Sequence, residues 1–267
     1  MKGELEKFEL NFTKSVTTPL WWAIRQADGA YIAKNGSAFF LNTGKRLFGV
    51  TAHHVIEEWR HDRSRHDEVH CFLGGQGRAC RFRDDWLIDA DPAIDIATFD
   101  ITPERIKLID RAVLTGPQKS WPPVPPQIDG RIYYCGFPGI GRVWPSPSSE
   151  IRFGTVVSSG AASSVSELNI STVINREDLH PILGQGVPPE DFDYGGMSGG
   201  VMLTVVETPL HSWVLAGVIY QGPNPSGDPE QAIAGLNIIK ARRAHFILPD
   251  GTLDRALWHA TNPPQAK

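Results

Sequence analysis

Residues Thr115 to Gly130 read TGPQKSWPPVPPQIDG, with five prolines in sixteen positions. Each proline fixes its own φ and removes a backbone donor, so the stretch is extended and unsuited to the interior of a sheet. It reads as a semi-rigid connector. On both sides of it, Gly (26) and Pro (21) punctuate short runs rich in Val, Ile, Phe, Tyr and Trp. That is the pattern of many short strands. Strands are expected at Leu20 to Arg25, Ser37 to Asn42, Arg46 to Thr51, His70 to Leu73, Ile94 to Asp100, Arg131 to Gly136, Ile151 to Ser158, Ser212 to Gln221 and Ala232 to Asn237. Helical signals are confined to a turn at Val55 to Arg60 and to Ile239 to Phe246, where Lys and Arg precede a Pro249, Asp250, Gly251 stop.

The connector therefore separates two β-rich halves of similar strand content: residues 1–115, a linker 116–130 and residues 131–267. Two small barrels packed on each other follow, with a cleft between them as the expected site.

The 267 residues carry 26 Lys plus Arg against 30 Asp plus Glu, and 41% are hydrophobic, which excludes disorder and collagen-like structure. A formal charge of −4 leaves no electrostatic footprint for nucleic acid. Only three cysteines are present, Cys71, Cys80 and Cys135, so no disulfide framework is implied and a reducing compartment fits. The N-terminus, MKGELEKFELNF, alternates charges where a secretory signal would be apolar. No apolar run reaches the roughly 18 residues of a membrane span. A soluble, cytoplasmic protein is expected, without nucleic-acid or membrane partners.

Three segments carry chemistry. In GVTAHHVIEEW, Gly49 to Trp59, a strand runs into a helical turn with two histidines at the junction. A histidine there can serve as a general base. In DPAIDIATFDI, Asp91 to Ile101, Asp95 stands between Ile94 and Ile96, where an ionised carboxylate needs a strong partner such as an imidazole N–H. In DFDYGGMSGGVML, Asp191 to Leu203, Ser198 sits in a glycine-rich turn before an apolar strand. The glycines let backbone N–H groups converge, and the amides of Gly196 and Ser198 would form an oxyanion hole. One such donor is typically worth about 3 kcal/mol in the transition state.

His54, Asp95 and Ser198 follow one another in the order His, Asp, Ser, and here the sequence resembles the trypsin-like, chymotrypsin-fold serine peptidases. TAHHV matches the family's TAAHx, which makes His54 rather than His53 the catalytic position. DIA surrounds Asp95, and GMSGGVM matches GxSGGP. YCGFPGIG (Tyr134 to Gly141), FGTVVSSG (Phe153 to Gly160) and LAGVIYQG (Leu215 to Gly222) look like second-barrel strands of the family's bacterial branch. The resemblance covers roughly residues 20 to 245.

It implies an all-β chain of two packed six-stranded antiparallel β-barrels with a short C-terminal helix. It also implies acyl transfer from a peptide to Ser198, with His54 moving the proton and Asp95 holding its tautomer. No metal or organic cofactor is required. A peptide or protein substrate would pair by strand addition with the backbone of Tyr220, Gln221 and Gly222.

Departures from the family narrow the expectation. Met197 stands where trypsins carry the Asp that pairs with a liberated N-terminus, and a thioether cannot hold an ammonium group. Val55 replaces the cysteine after the catalytic His, so the likeness is closer to non-secreted bacterial peptidases of the HtrA and related groups, here with no PDZ domain expected. Six residues before Ser198, where trypsins carry an Asp, stands Phe192, followed by Asp193. An uncharged or aromatic pocket floor is expected from Phe192, whereas a loop one residue longer or shorter would swap the two and turn Asp193 to the substrate.

His61, His66, His70, Cys71 and Cys80 fit no compact metal-ligand spacing. Trp21, Trp22 and Trp59 read as core, and GFPGIGR at Gly136 to Arg142 as a β-turn rather than a phosphate loop. The rival functional reading is a catalytically silent or latent peptide-binding module whose oxyanion loop needs an activating protein partner to order it.

Overall fold

The computed structural model describes residues 2–75, 77–115, 121–144, 150–184, 186–189, 192–206, 212–223 and 237–263. The first sheet comprises β1 (Thr17–Arg25), β2 (Tyr31–Asn42), β3 (Leu47–Thr51), β4 (His70–Gly75), β5 (Arg78–Arg81), β6 (Leu87–Asp91), β7 (Ile96–Asp100) and β8 (Leu114–Thr115). The second half holds β9 (Arg131–Gly136), the ribbon of β10 (Arg142–Val143) and β11 (Arg152–Phe153), then β12 (Val156–Ala161), β13 (Ser164–Val165), β14 (Asn169–Ile174), β15 (Val201–Val206), β16 (Ser212–Gln221) and β17 (Asn237–Arg243). Four helices accompany them among the described residues: α1 (Lys2–Ser15), α2 (His53–Arg65), α3 (Pro103–Ile109) and α4 (Arg255–Thr261).

Strand order is β5-β4-β1-β2-β3-β7-β6 in the first sheet and β12-β9-β15-β16-β17-β14-β13 in the second. The fold is all-β with two barrel-like halves and a short C-terminal helix, as expected. Among the described residues the strand count differs: eight and seven, not six and six. Short edge strands make up the excess, and β8 pairs with β2 in parallel, Leu41 opposite Leu114, against the expectation of wholly antiparallel pairing.

Side-chain alternation along the strands divides the core. Phe40 of β2 points into the first half with Trp22, Ile56, Trp59, Phe82 and Phe99. Its neighbours Phe39 and Leu41 face the seam, where they meet Tyr133 and Cys135 of β9, Val201 and Leu203 of β15, and Phe246. Tyr134, between Tyr133 and Cys135, turns instead into the second half with Met197, Met202, Ile219 and Ile239. One face of each sheet thus fills its own barrel and the other glues the two together.

Several expected elements need correction. Residues Ile239 to Arg243 are strand, not helix, with only a 3-10 turn at Ala244–Phe246 following. Pairing of β17 with both β14 and β16 overrides the local helix-stop signal. The C-terminal helix is α4, capped by the Asp254 carboxylate on Leu257 N–H. The turn at Val55 to Arg60 belongs to the 13-residue α2. Ile151 to Ser158 breaks into β11 and β12. The strand expected at Ala232 to Asn237 lies outside the described residues except for Asn237, and α1 and α3 were not expected.

The chain ends cross over. Helix α1 packs on the second half, with Phe8 and Phe12 against Trp213 and Glu9 accepting from the Tyr133 hydroxyl. The C-terminal segment returns to the first half, where Thr98 donates to the Gly251 carbonyl and Arg255 grips Asp89. No helix among the described residues is long and apolar enough to cross a membrane.

Candidate active site

Strand β3 ends at Thr51, Ala52 turns the chain with extended backbone, and α2 starts directly with His53 and His54. The first N–H groups of a helix have no partner within it. Ala52 has no side chain to cap them, and the His54 N–H donates instead to Asp95 Oδ1 at 3.0 Å. The same carboxylate takes the ring: His54 Nδ1 lies 2.8 Å from Asp95 Oδ2 and 3.0 Å from Oδ1. A carboxylate at that distance accepts, so Nδ1 carries the proton, and in the neutral ring the lone pair is on Nε2. His53 turns to Glu57, its Nε2 3.8 Å from the carboxylate.

Asp95 is not inside a strand as expected. It closes a turn ahead of β7, with φ +58°. The Asp91 side chain accepts from Ala93 N–H (2.9 Å) and Ile94 N–H (3.0 Å), and the Asp91 carbonyl accepts from Asp95 N–H (2.8 Å). Positive φ is disfavoured for residues with a side chain, and Asp tolerates it better than most.

Ser198 lies in a loop whose backbone is almost fully committed. Gly195 N–H donates to Asp193 Oδ1, Met197 N–H to the Tyr194 carbonyl, Gly199 N–H to the Ile219 carbonyl and Gly200 N–H to the Met197 carbonyl. The amides of Gly196 and Ser198 have no protein acceptor among the described residues. Two glycines make the path possible. Gly196 has φ +96°, and a Cβ there would stand 2.8 Å from the Phe137 carbonyl and 2.9 Å from Asn35 Nδ2. A Cβ on Gly199 would stand 2.0 Å from the Ser37 carbonyl.

The first half holds this loop through residues that the sequence reading did not single out. Ser37 N–H donates to the Ser198 carbonyl at 2.7 Å, and Ser37 Oγ donates to the Gly196 carbonyl while accepting from Phe137 N–H, both at 2.9 Å. Asn35 Nδ2 donates to the Phe137 carbonyl at 2.6 Å. Gly36 has no side chain between Val55 and the Ser198 carbonyl, so the loop and the first turn of α2 pack on the same glycine. Met197 is buried against Gly136 in the second core, an apolar anchor for the loop.

Ser198 Oγ donates to the Tyr220 carbonyl at 3.4 Å, and no hydrogen bond joins it to His54. Tyr220 is the extra residue of a bulge in β16, between the pairs Ile219 with Ala241 and Gln221 with Lys240. Burial raises the Tyr220 pKa, while the Arg242 guanidinium, 4.8 Å from its ring, acts in the opposite sense. Gly222 faces Tyr194, whose Cβ is 3.0 Å from where a Gly222 Cβ would stand. Phe192 packs edge-on to Tyr194 at 4.9 Å, whereas Asp193 is exposed and folds back on Gly195. Tyr194 is thus a further residue at this end of the site.

No protein-family model matches the sequence, and no curated protein does. Among solved structures, the serine protease domain of the Sesbania mosaic virus polyprotein is similar at 14% identity and a TM-score of 0.39, over 92% of each chain. The Rv3671c protease from M. tuberculosis, in its active form, is similar at 12% identity and a TM-score of 0.39, over 90% of this chain and 81% of that one. Deg5 is similar at 16% identity and a TM-score of 0.41, over 83% and 87%. Likeness of this degree assigns the present chain no activity.

Proposed function

We propose that this protein is a trypsin-like serine protease, a hydrolase that cleaves peptide bonds through a catalytic triad of His54, Asp95 and Ser198. The observation that carries the reading is the pair of uncommitted amides at Gly196 and Ser198, in a loop where the neighbouring amides are spent. Two unpaired donors flanking a serine hydroxyl are what a developing oxyanion requires.

In this mechanism a peptide carbonyl carbon is attacked by Ser198 Oγ as the proton passes to His54 Nε2. The carbonyl oxygen takes the negative charge and is met by the two amides. The C–N bond then breaks, His54 returns the proton to the leaving amine, and water repeats the sequence to free the acyl group. Asp95 holds the Nδ1–H tautomer and stabilises the imidazolium. The hydroxyl must first leave the Tyr220 carbonyl for His54, a change that substrate entry can drive.

The backbone of Tyr220, Gln221 and Gly222 receives the substrate strand, with Phe192, Asp193 and Tyr194 bordering the pocket for the residue before the scissile bond. Residues 1–115 and 131–267 act as the two catalytic halves. The cysteines are unpaired, with Cys71 and Cys135 buried, which favours a non-secreted bacterial-type peptidase working in the cytoplasm. Fluorophosphonate labelling tests the assignment: wild type is expected to be labelled at Ser198, and Ser198→Ala to lose about six orders of magnitude in turnover. An unlabelled wild type, or a Ser198→Ala variant that still turns over, would overturn it.

The Ser198–Tyr220 hydrogen bond favours a second reading, a latent protease whose nucleophile engages His54 only when a protein partner binds. Slow labelling of the isolated chain that accelerates when an activating protein partner is added supports latency. Fast labelling of the chain alone excludes it.

A further inference from the structure

We propose that Arg242 and Arg255, both from the C-terminal half, are positioning residues that clamp the Asp91–Asp95 turn and so set where the triad's acid sits; the inference rests on the triad reading above. Arg255 holds the start of the turn. Its Nη atoms pair bidentately with Asp89 at 2.8 and 2.7 Å, Nη2 also donates to the Ala90 carbonyl at 3.0 Å, and Nε lies 2.8 Å from Asp91 Oδ2. The other oxygen of Asp91 caps Ala93 and Ile94, and the Asp91 carbonyl receives the Asp95 amide. Displacing Asp91 therefore displaces the backbone of the acid itself.

Arg242 holds the end of the turn. It is buried, and its Nε donates at 2.7 Å to the carbonyl of Ile94, the residue before Asp95. Nη1 donates to Asn169 Oδ1 at 2.7 Å, and the guanidinium lies between two rings, 4.8 Å from Tyr220 and 4.6 Å from Trp258. Among the described residues no carboxylate makes an ion pair with it. A buried cation without such a partner is costly, so its environment must repay desolvation through the two rings, the two accepting oxygens and the field of the nearby Asp95. Trp258 and Arg255 stand one turn apart on α4, so one helix braces both arginines.

The arrangement explains how a non-glycine residue is kept at positive φ with its carboxylate on α2: the turn is gripped from both ends by a half of the molecule that does not contain it. It also gives the returning C-terminal segment a part in catalysis, beyond closing the seam. Ser198 and the acid's clamp are then carried by the same half.

The test compares the full chain with Arg242→Met, Arg242→Lys, Arg255→Met and, as control, Arg243→Met. Arg243 neighbours Arg242 on β17, is equally buried, and its side chain binds, among the described residues, the Ser166 carbonyl and Glu167. Measured are kcat and KM on a chromogenic peptide, the melting temperature, and the downfield proton resonance of His54 Nδ1–H on Asp95. The clamp requires Arg242→Met and Arg255→Met to lower kcat about 10- to 100-fold with KM little changed and to shift or broaden that resonance, with partial recovery in Arg242→Lys. Arg243→Met should lower the melting temperature alone. Folded Arg242→Met and Arg255→Met proteins with wild-type kcat and an unmoved resonance would overturn the clamp. If wild type proves inactive, the protease reading fails, and the resonance alone still decides the clamp. If Arg242→Met does not fold, Arg242→Lys and Arg255→Met decide it by the same readouts.

Discussion

The carboxylate of Asp95 serves the ring and the backbone of the same residue: it accepts from His54 Nδ1–H and from His54 N–H at the start of α2. One side chain is therefore both the acid of the proposed triad and the N-terminal cap of a helix. Asp95→Asn keeps an acceptor of the same shape but adds a donor that must face either the backbone N–H or Nδ1–H. Loss of the correct tautomer is expected to lower kcat about 10,000-fold. Asp95→Ala removes the cap as well, a cost of about 1 kcal/mol of stability that His54→Ala does not share. Chemical denaturation of these two alanine variants checks this, and an Asp95→Ala protein no less stable than His54→Ala removes the capping role.

Gly196→Ala probes the oxyanion loop without touching a catalytic side chain. Its Cβ would meet the Phe137 carbonyl, Asn35 Nδ2 and Gly139 N at 2.8 to 2.9 Å, at a φ of +96°. The backbone must shift or carry roughly 1–3 kcal/mol of strain, and the Gly196 amide leaves its place. A fall in kcat of about 100- to 1,000-fold is expected, with KM less affected. Steady-state kinetics with a melting curve separate this from unfolding, and a wild-type kcat would mean that the Gly196 amide has no part in the reaction.

Ser37→Ala removes a single hydroxyl that ties together three segments. The Phe137 amide loses its acceptor and the Gly196 carbonyl its donor, at the seam between the halves. A buried group left unsatisfied costs about 1–3 kcal/mol, so the variant should melt several degrees lower. Because the freed carbonyl belongs to Gly196, kcat should fall with stability, unlike in variants elsewhere on β2. A variant with lower stability and unchanged kcat would show that Ser37 braces the fold and leaves the loop's amides in place.

What could be read in the sequence follows how local each signal is. His54, Asp95, Ser198 and Gly196 stand in short motifs whose residue types are demanded by chemistry or by backbone angle, and β16 was legible from its own composition, to the residue. Ser37 gives no such signal: one serine in an apolar strand, with partners 100 and 159 positions away. Arg242 and Arg243 looked like the cationic end of a helix because their partners, Ile94, Asn169 and Glu167, are also distant. Helix α3 carried readable ends, Thr102 as cap with Pro103 after it, but its seven residues are too short for periodicity to stand out. Asp95 was placed inside a strand because Ile94 and Ile96 are apolar, whereas the Asp91 side chain turns the chain there.

His245 gives the protein a pH dependence separate from catalysis. It lies buried in the turn after β17, its ring 4.2 Å from that of Phe246, and Nε2 has no hydrogen-bond partner among the described residues. Burial, reinforced by the charge of Arg243, pushes its pKa down from 6.5 to about 4. The unfolded chain then binds a proton near pH 6.5 that the folded chain accepts only near pH 4. The contribution to stability is fully present above about pH 6.5 and is lost as the pH falls through that interval to about 4. Asp250, held down to about 2 chiefly by Thr252, loses its contribution at lower pH and does not obscure the effect. Denaturant midpoints measured from pH 7 to 4 should fall for wild type and flatten for His245→Phe, which retains the ring and cannot titrate. An equal slope in the two proteins would assign the acid sensitivity to other groups.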